Sequence, residues 1–433
     1  MQIKESFQMT IFSKIKTAGT TIKSHFKLFY AQKIISSLET QLVSFFLIYL
    51  LSPSEYGQLA LIITVAQLMY VITTGWTDPT ITNIGTKEYS ENGSYRNIVV
   101  YRLVIVSVCF LVVTTIFLLI RSQIEIMIHG RDYYFITYLL FIAYSLQSFF
   151  YQLLYPCNKN NLQSLFDVIY ATLLLVLSLT LVRDIRFYVY LILLLNIAYG
   201  VVTLFYYYRF NRKTELQLSK AEFNKTLKFS VWQVLGVLGI YLTNMGVNYV
   251  YTIKQVDLSE IGLYNVAYKF FSEFTPIFAI CVIVIPQWIF YQSDKQRLVR
   301  NIKKYTILGV IALAIAYLGM FIILKPFLII INKADYVDSV MYYLYLLPAF
   351  LFMSYSQITQ LIIMTTPAYK HTQYSTLIQG VILLIFCCLL IGNYGVLGAI
   401  ASVTISYVSK SIYLYFIYNK HGKNMILKNK SYE

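Results

Sequence analysis

Long apolar runs separated by short polar breaks are the feature that most limits what this chain can fold into. A helix needs about 20 mostly apolar residues to cross a bilayer, and runs of that length recur between residues 30 and 418. Only 12% of the residues are charged, which is about half the share found in a soluble domain. The pattern therefore predicts an all-α, multi-pass membrane protein.

Clusters of Pro, Gly, Asn and charged residues divide the apolar sequence into twelve predicted spans, with ends uncertain by several residues. The first six spans lie near residues 30–51, 57–76, 98–120, 133–155, 163–182 and 187–208. The second six lie near residues 229–252, 261–290, 305–324, 338–364, 372–392 and 395–418. Pro276 and Pro286 are expected to kink or end the long eighth span, because proline lacks the amide hydrogen that a helix interior uses.

The basic residues predict the orientation of these spans. Most of the 35 Lys and Arg residues, Lys33 among them, fall on the side that holds both termini. Because positively charged loops stay in the cytoplasm, both termini are predicted to be cytoplasmic. The net charge of +16 is then mainly a topology signal. A nucleic-acid partner would need the basic residues on one soluble face, and no soluble domain is predicted.

A short repeated motif indicates that the chain is duplicated. "SPSEYG" at residues 52–57 and "DLSEIG" at residues 257–262 share Ser, Glu and Gly at a constant offset of 205 residues, and both fall in predicted outer turns. Two six-helix bundles related by an axis along the membrane normal would enclose a central cavity. The predicted units follow from this division: a cytoplasmic amphipathic leader (1–29), an N-terminal bundle (30–208), a basic cytoplasmic linker (209–228), a C-terminal bundle (229–418) and a basic cytoplasmic tail (419–433).

The repeated residues themselves are explained by the chemistry of helix entry. Ser54 and Ser259 are expected to be the N-caps of spans two and eight. Glu55 and Glu260 would then lie in the first turn, where the helix dipole favours acids. This role does not require contact with a substrate.

The motif, its weaker copy, the two six-span halves and the length of the chain together resemble the bacterial polysaccharide (O-antigen type) flippases. These proteins belong to the multidrug/oligosaccharidyl-lipid/polysaccharide exporter superfamily. The resemblance implies two bundles arranged as a V in the bacterial cytoplasmic membrane. It also implies transport of an undecaprenyl-pyrophosphate-linked oligosaccharide to the outer leaflet, with H⁺ or Na⁺ as a coupling ion and a polysaccharide polymerase and chain-length regulator as partners.

Motif chemistry narrows the alternatives to this function. The chain contains no G-x-x-x-x-G-K-[ST] phosphate loop and no H-E-x-x-H or paired-Cys metal spacing, so no nucleotide, cofactor or metal site is predicted. Two other classes stay open: an ion-coupled drug or metabolite antiporter of the same superfamily, and a membrane enzyme of glycan assembly. The enzyme is disfavoured because every predicted outer loop is short.

Cations inside the predicted spans are candidates for binding an anionic substrate, since a charged residue costs roughly 2.5–3.5 kcal/mol to insert at the centre of a span. Lys269 in span eight and Lys410 in span twelve could hold a pyrophosphate or an acidic sugar. Two other interpretations remain open. Lys269 could be neutralised by Glu273 one turn away, and Lys410 could extend its side chain to the membrane interface.

Carboxylates inside the spans are candidates for coupling transport to H⁺ or Na⁺. Glu39, on the face of span one that also carries Gln32 and Ser36, and Glu273 in span eight are the main candidates. Asp78 and Asp167 lie near the inner ends of their spans and are further candidates.

Overall fold

The structure is a computed structural model that describes residues 28–29, 31–211, 216–272, 274, 295–364, 368 and 370–422. Within these residues the chain is α-helical, with short 3₁₀ and π turns and no strand. The long helices of the first half are α1 (Ala31–Leu50), α2 (Pro53–Thr73), α3 (Arg96–Leu119), α4 (Tyr134–Tyr151), α5 (Asn160–Leu181) and α6 (Ile185–Phe210). Those of the second half are α7 (Lys220–Lys254), α8 (Leu258–Ser272), α9 (Lys295–Ile330), α10 (Leu347–Met364) and the long helix Lys370–Ile417.

The long C-terminal helix is two helices joined at Gly395. That residue has φ +54° and ψ −130°, which is not helical, and glycine adopts such a conformation more easily than other residues. We call the parts before and after Gly395 α11 and α12, which correspond to the predicted spans eleven and twelve. Ten helices among the described residues are long and apolar enough to cross a membrane, with α11 and α12 counted as one.

The predicted helix caps are wrong by two residues in both repeats. Helix α2 is capped by Ser52, which forms a capping box with Glu55, and Pro53 occupies its first turn. Helix α8 is preceded by Asp257, whose carboxylate accepts the Ser259 amide hydrogen over 2.8 Å. Proline has no amide hydrogen to lose at the start of a helix, so α2 begins earlier than the predicted span.

The two largest hydrophobic cores among the described residues divide the helices into two bundles. One core is built from α1 to α6, with Leu140, Phe141 and Val189 fully buried. The other is built mainly from α7 to α12, with Ile261, Tyr343 and Cys387 fully buried.

The segments between and outside the bundles are only partly described. Helix α6 continues to Phe210 and α7 begins at Lys220, so both ends of the predicted linker 209–228 lie in helices. Except for residues 28–29, the predicted leader lies outside the described residues, as does the tail beyond residue 422.

Candidate functional site

Both bundles line one cavity of about 1130 Å³, which reaches from Lys33 near the start of α1 to Tyr56 in the first turn of α2. Its wall is polar but carries few charges. Among the described residues that line it, the cations are Lys33, Lys269 and Lys410, and the only carboxylate is that of Asp167. Neutral polar groups make up much of the remainder, including six glutamines: Gln41, Gln67, Gln147, Gln357, Gln360 and Gln379.

The cavity is closed at the end that carries the α1–α2 turn, which we call the closed end. There α2 and α8 cross at the two glycines of the repeated motif. A Cβ atom on Gly57 would lie 2.0 Å from the carbonyl oxygen of Leu258, and one on Gly262 would lie 1.8 Å from that of Pro53. The helices therefore touch backbone to backbone, and any side chain at either position would force them apart.

A second contact between the bundles lies beside this crossing. The Leu51 carbonyl, at the end of α1, accepts hydrogen bonds from Lys333 Nζ over 3.0 Å and from the Tyr336 hydroxyl over 3.1 Å. Both donors belong to the segment between α9 and α10, and Tyr336 is fully buried. We call this three-residue contact the Leu51 latch.

The two predicted substrate-binding cations both reach the cavity. Lys269 lines it from α8, and Lys410 lines it from α12 while only 3% of its surface is exposed. Within the described part of the chain, no carboxylate forms an ion pair with Lys410. Glu273 lies outside the described residues, so the proposed pairing of Lys269 with Glu273 stays a prediction.

Three serines near Lys410 on α12 do not line the cavity. The hydroxyls of Ser402, Ser406 and Ser409 each donate to a carbonyl oxygen of their own helix, over 2.7–2.9 Å. None of the three lines the cavity. Serine readily makes such local bonds inside membrane helices, so these side chains are not available as donors to a ligand.

Glu39, on α1, faces α5 and does not line the cavity. It accepts a hydrogen bond from the Thr172 hydroxyl over 2.8 Å, and its second carboxylate oxygen is buried without a partner among the described residues. Gln32, on the same face, accepts from Ser164 of α5. The polar face that carries Glu39 therefore packs mainly on the neighbouring helix, and its role in ion coupling stays a prediction.

Asp167 lines the cavity and is held by two side chains. Lys33 Nζ forms an ion pair with it, and the Tyr199 hydroxyl donates to it over 2.8 Å. Lys33 also donates to the Tyr151 hydroxyl over 2.6 Å. This cluster joins α1, α4, α5 and α6 at one side of the cavity.

Asp78 lies outside the cavity, in a buried network beyond the end of α2. It forms an ion pair with Arg102, which is 1% exposed, and accepts from Ser148 Oγ over 2.6 Å. Arg102 also donates to Thr77 Oγ1 over 2.9 Å and to the Phe149 carbonyl over 3.1 Å. Burial raises the pKa of the Asp78 carboxyl to about 6. The network joins the segment after α2 to α3 and α4, and none of its residues lines the cavity.

Lys33 and the six glutamines that line the cavity were not predicted from the sequence. The only feature of the sequence that could have indicated a cavity role for Lys33 is its position inside the first predicted span. Its partner Asp167 is 134 residues away, and no periodic pattern links two positions so far apart.

The model of the family "polysaccharide biosynthesis protein" matches residues 31–288. This chain belongs to that family. No curated protein sequence matches the chain.

Solved structures show the same fold at low sequence identity. The lipid II flippase MurJ, in an inward closed conformation, has a TM-score of 0.69 and 13% identity over 93% of this chain and 89% of its own. A multidrug resistance MATE family transporter of the MOP superfamily, in an inward-facing conformation, has a TM-score of 0.65 and 13% identity over 92% and 96%. The Vibrio cholerae MATE transporter VcmN in the bent form has a TM-score of 0.57 and 10% identity over 93% and 99%.

These similarities confirm the fold class predicted from the sequence, an all-α membrane protein with two six-helix bundles arranged as a V around a central cavity. The family match also confirms the predicted resemblance to proteins of polysaccharide biosynthesis, and the solved structures show that the chain shares the fold of MurJ and of MATE transporters. The protein is therefore a multi-pass membrane protein of a polysaccharide biosynthesis family with a transporter fold.

Proposed function

We propose that this protein is a flippase that moves an undecaprenyl-pyrophosphate-linked oligosaccharide from the cytoplasmic to the outer leaflet by alternating access, for the synthesis of a surface polysaccharide such as O-antigen or capsule. The observation that carries the proposal is the charge of the cavity, which holds three lysines and a single carboxylate among its described residues. Lys33 forms an ion pair with that carboxylate, so the charge of the described part of the wall is net positive. A lipid-linked pyrophosphate requires such a charge inside the membrane.

The size and polarity of the cavity support a glycan as cargo. A drug-sized ligand occupies a pocket of about 300–1,000 Å³, and this cavity has about 1130 Å³. Amide side chains both donate and accept hydrogen bonds, which matches the hydroxyls of sugars. An antiporter of cationic drugs would be better served by free carboxylates, and of the described residues that line the cavity only Asp167 is acidic.

The proposed roles follow the position of each residue. Lys269 and Lys410 would bind the anionic part of the substrate, since both line the cavity. Glu39 and Glu273 remain the candidates for coupling to H⁺ or Na⁺. Asp167 is a further candidate for this coupling, because it lines the cavity.

The proposed setting is the cytoplasmic membrane of a bacterium, with both termini in the cytoplasm and the closed end facing outward. The cavity would then be accessible from the side on which lipid-linked precursors are made. A polysaccharide polymerase and a chain-length regulator would act on the delivered substrate.

Complementation tests this proposal. In a strain that lacks its own repeat-unit flippase, expression of this chain should restore surface polysaccharide. Lys269→Ala and Lys410→Ala should each reduce that restoration at least tenfold at normal protein levels, whereas Lys370→Ala, an exposed lysine outside the cavity, should leave it unchanged. Drug efflux without restored polysaccharide would favour the antiporter, and product formation without translocation would favour a glycan-assembly enzyme.

A further inference from the structure

Three polar side chains of the C-terminal bundle line the cavity, and two of them carry buried atoms that have no hydrogen-bond partner among the described residues. Lys410 on α12, Gln379 on α11 and Gln360 on α10 all line the cavity. Gln379 is 1% exposed, and neither its amide nitrogen nor its amide oxygen has a hydrogen-bond partner among the described residues. The amide oxygen of Gln360 is likewise buried without a partner.

Such groups are unusual because a buried polar atom without a partner is costly. The hydroxyls of Ser406 and Ser409 do not donate to these amide oxygens, because each donates to a backbone carbonyl of α12. Tyr407 lies next to Gln379. Tyr407 and Lys410 are three residues apart on α12 and so lie on the same face of that helix.

The three side chains define the chemistry of a ligand. Lys410 requires an anionic oxygen, the amide nitrogen of Gln379 requires an acceptor, and the amide oxygens of Gln379 and Gln360 require donors. An ionised pyrophosphate offers acceptors and no donor. A sugar that bears a carboxylate or phosphate offers an anionic group with hydroxyl donors beside it.

We propose that Lys410, Gln379 and Gln360 form a subsite that binds an acidic sugar residue of the carried glycan, distinct from the place where the pyrophosphate binds. This inference rests on the proposed function, because it names the part of the substrate that each cavity region recognises. It makes the protein selective for glycans that contain a uronic acid or a phosphorylated sugar. The pyrophosphate is then left to Lys269, since Lys33 is already paired with Asp167.

Binding to the purified protein in nanodiscs tests the subsite without any transport step. The probes are a glucuronate-containing disaccharide, a neutral disaccharide of the same size, and inorganic pyrophosphate. The acidic disaccharide should bind at least about tenfold more tightly than the neutral one. Gln379→Leu and Lys410→Met should each weaken its binding at least about tenfold, as expected for losing hydrogen bonds to a charged ligand.

A matched control is available on the same helix. Gln373 is exposed and lies outside the cavity, so Gln373→Leu should bind the acidic disaccharide as the parent does. Pyrophosphate binding should survive Gln379→Leu, because the pyrophosphate is assigned to Lys269 and not to this subsite. If Lys410→Met does not fold, Lys410→Arg keeps the charge and should bind within a few-fold of the parent.

Two results would overturn the subsite. One is equal binding of the acidic and neutral disaccharides. The other is equal loss of pyrophosphate and glucuronate binding in Gln379→Leu, which would assign these residues to the phosphates. Failure to restore polysaccharide in a flippase-deficient strain would instead overturn the proposed function, and it is measured separately from binding.

Discussion

Gly57 and Gly262 pack against the backbone of each other's helix and form the contact that closes the cavity. The two contacts are equivalent, because Gly57 meets the carbonyl of Leu258 and Gly262 meets that of Pro53, and each pair is related by the same offset of 205 residues. The repeated glycine of the sequence motif thus lies at the crossing of the two bundles. Beside the crossing, Ile48 of α1 and Leu61 of α2 are buried in the core of the C-terminal bundle, so opening the crossing would also expose apolar side chains.

This crossing must open if the cavity is to release a substrate at the closed end. Gly57→Ala should prevent full closure, because its Cβ would need the two helices to move apart by more than about 1 Å to reach ordinary contact distance. We expect polysaccharide restoration to fall at least tenfold. The protein should shift toward a state with the closed end open.

Cysteine labelling measures that shift. In a cysteine-free background, Ser44→Cys places a thiol in the cavity wall, and a membrane-impermeant maleimide added from outside should label it faster in the Gly57→Ala variant. Gly319→Ala is the matched control, since a Cβ there would meet nothing within 4 Å. Unchanged labelling and normal restoration in Gly57→Ala would show that the crossing is not a gate.

The Leu51 latch makes a separate prediction about the same end. Tyr336→Phe or Lys333→Met alone leaves the Leu51 carbonyl with one donor, so each should cost no more than about 1 kcal/mol of stability. The double variant leaves a buried acceptor unsatisfied, which costs about 1–3 kcal/mol. Thermal unfolding in detergent should therefore show a loss in the double variant that exceeds the sum of the single losses. Additive effects would mean that another donor replaces the latch.

The helices were predictable from the sequence because the cost of placing polar groups in a bilayer acts on each span separately. A run of apolar residues must be helical in the membrane whatever it packs against. The offset between the two motifs can also be read from the sequence alone, and it predicted two bundles, which is the fold observed. The cap residues were missed because Ser52-Pro53 and Ser54 both suit a helix start, and only the capping box with Glu55 decides between them.

The candidate site was less predictable because it depends on which helices are neighbours. Lys33 and Asp167 meet across two helices that the sequence does not pair. Glu39 faces α5, because α1 is oriented with Lys33, Ser37 and Thr40 toward the cavity. Lys410 was found from the sequence alone, because a lysine deep in an apolar run stands out without any knowledge of its partners.

The carboxylate that couples an ion can be identified by comparing Glu39 with Asp167. Each variant, Glu39→Gln and Asp167→Asn, removes one charge and keeps an acceptor oxygen. In proteoliposomes, the variant at the coupling site should lose the response of transport to an imposed pH or sodium gradient while substrate binding stays within a few-fold. The other variant should respond as the parent does, which provides the internal control. If both variants keep the full response, neither residue is the coupling site and Glu273 becomes the next residue to test.

The last prediction concerns pH and the junction between the bundles. Glu88 lies half-buried in the short helix Thr86–Asn92 and accepts the Ile98 amide hydrogen over 3.3 Å. Burial, with a smaller contribution from Glu222 of α7, raises the pKa of the Glu88 carboxyl from 4.5 to about 6. The folded protein therefore holds a proton that the unfolded chain releases between pH 4.5 and 6. Stability should fall as the pH rises through this range and stay lower above it.

Glu88→Gln removes this titration while keeping an acceptor for the Ile98 amide. Its melting temperature should match that of the parent near pH 4 and exceed it above pH 7, by a margin equivalent to at most about 1 kcal/mol because solvent screens a half-exposed carboxylate. Glu91→Gln is the control, since Glu91 is exposed on the same short helix and only 3.9 Å from Lys87 in a surface pair. A margin in Glu88→Gln that does not change between pH 4 and pH 8 would show that the ionised carboxylate carries no cost at this junction.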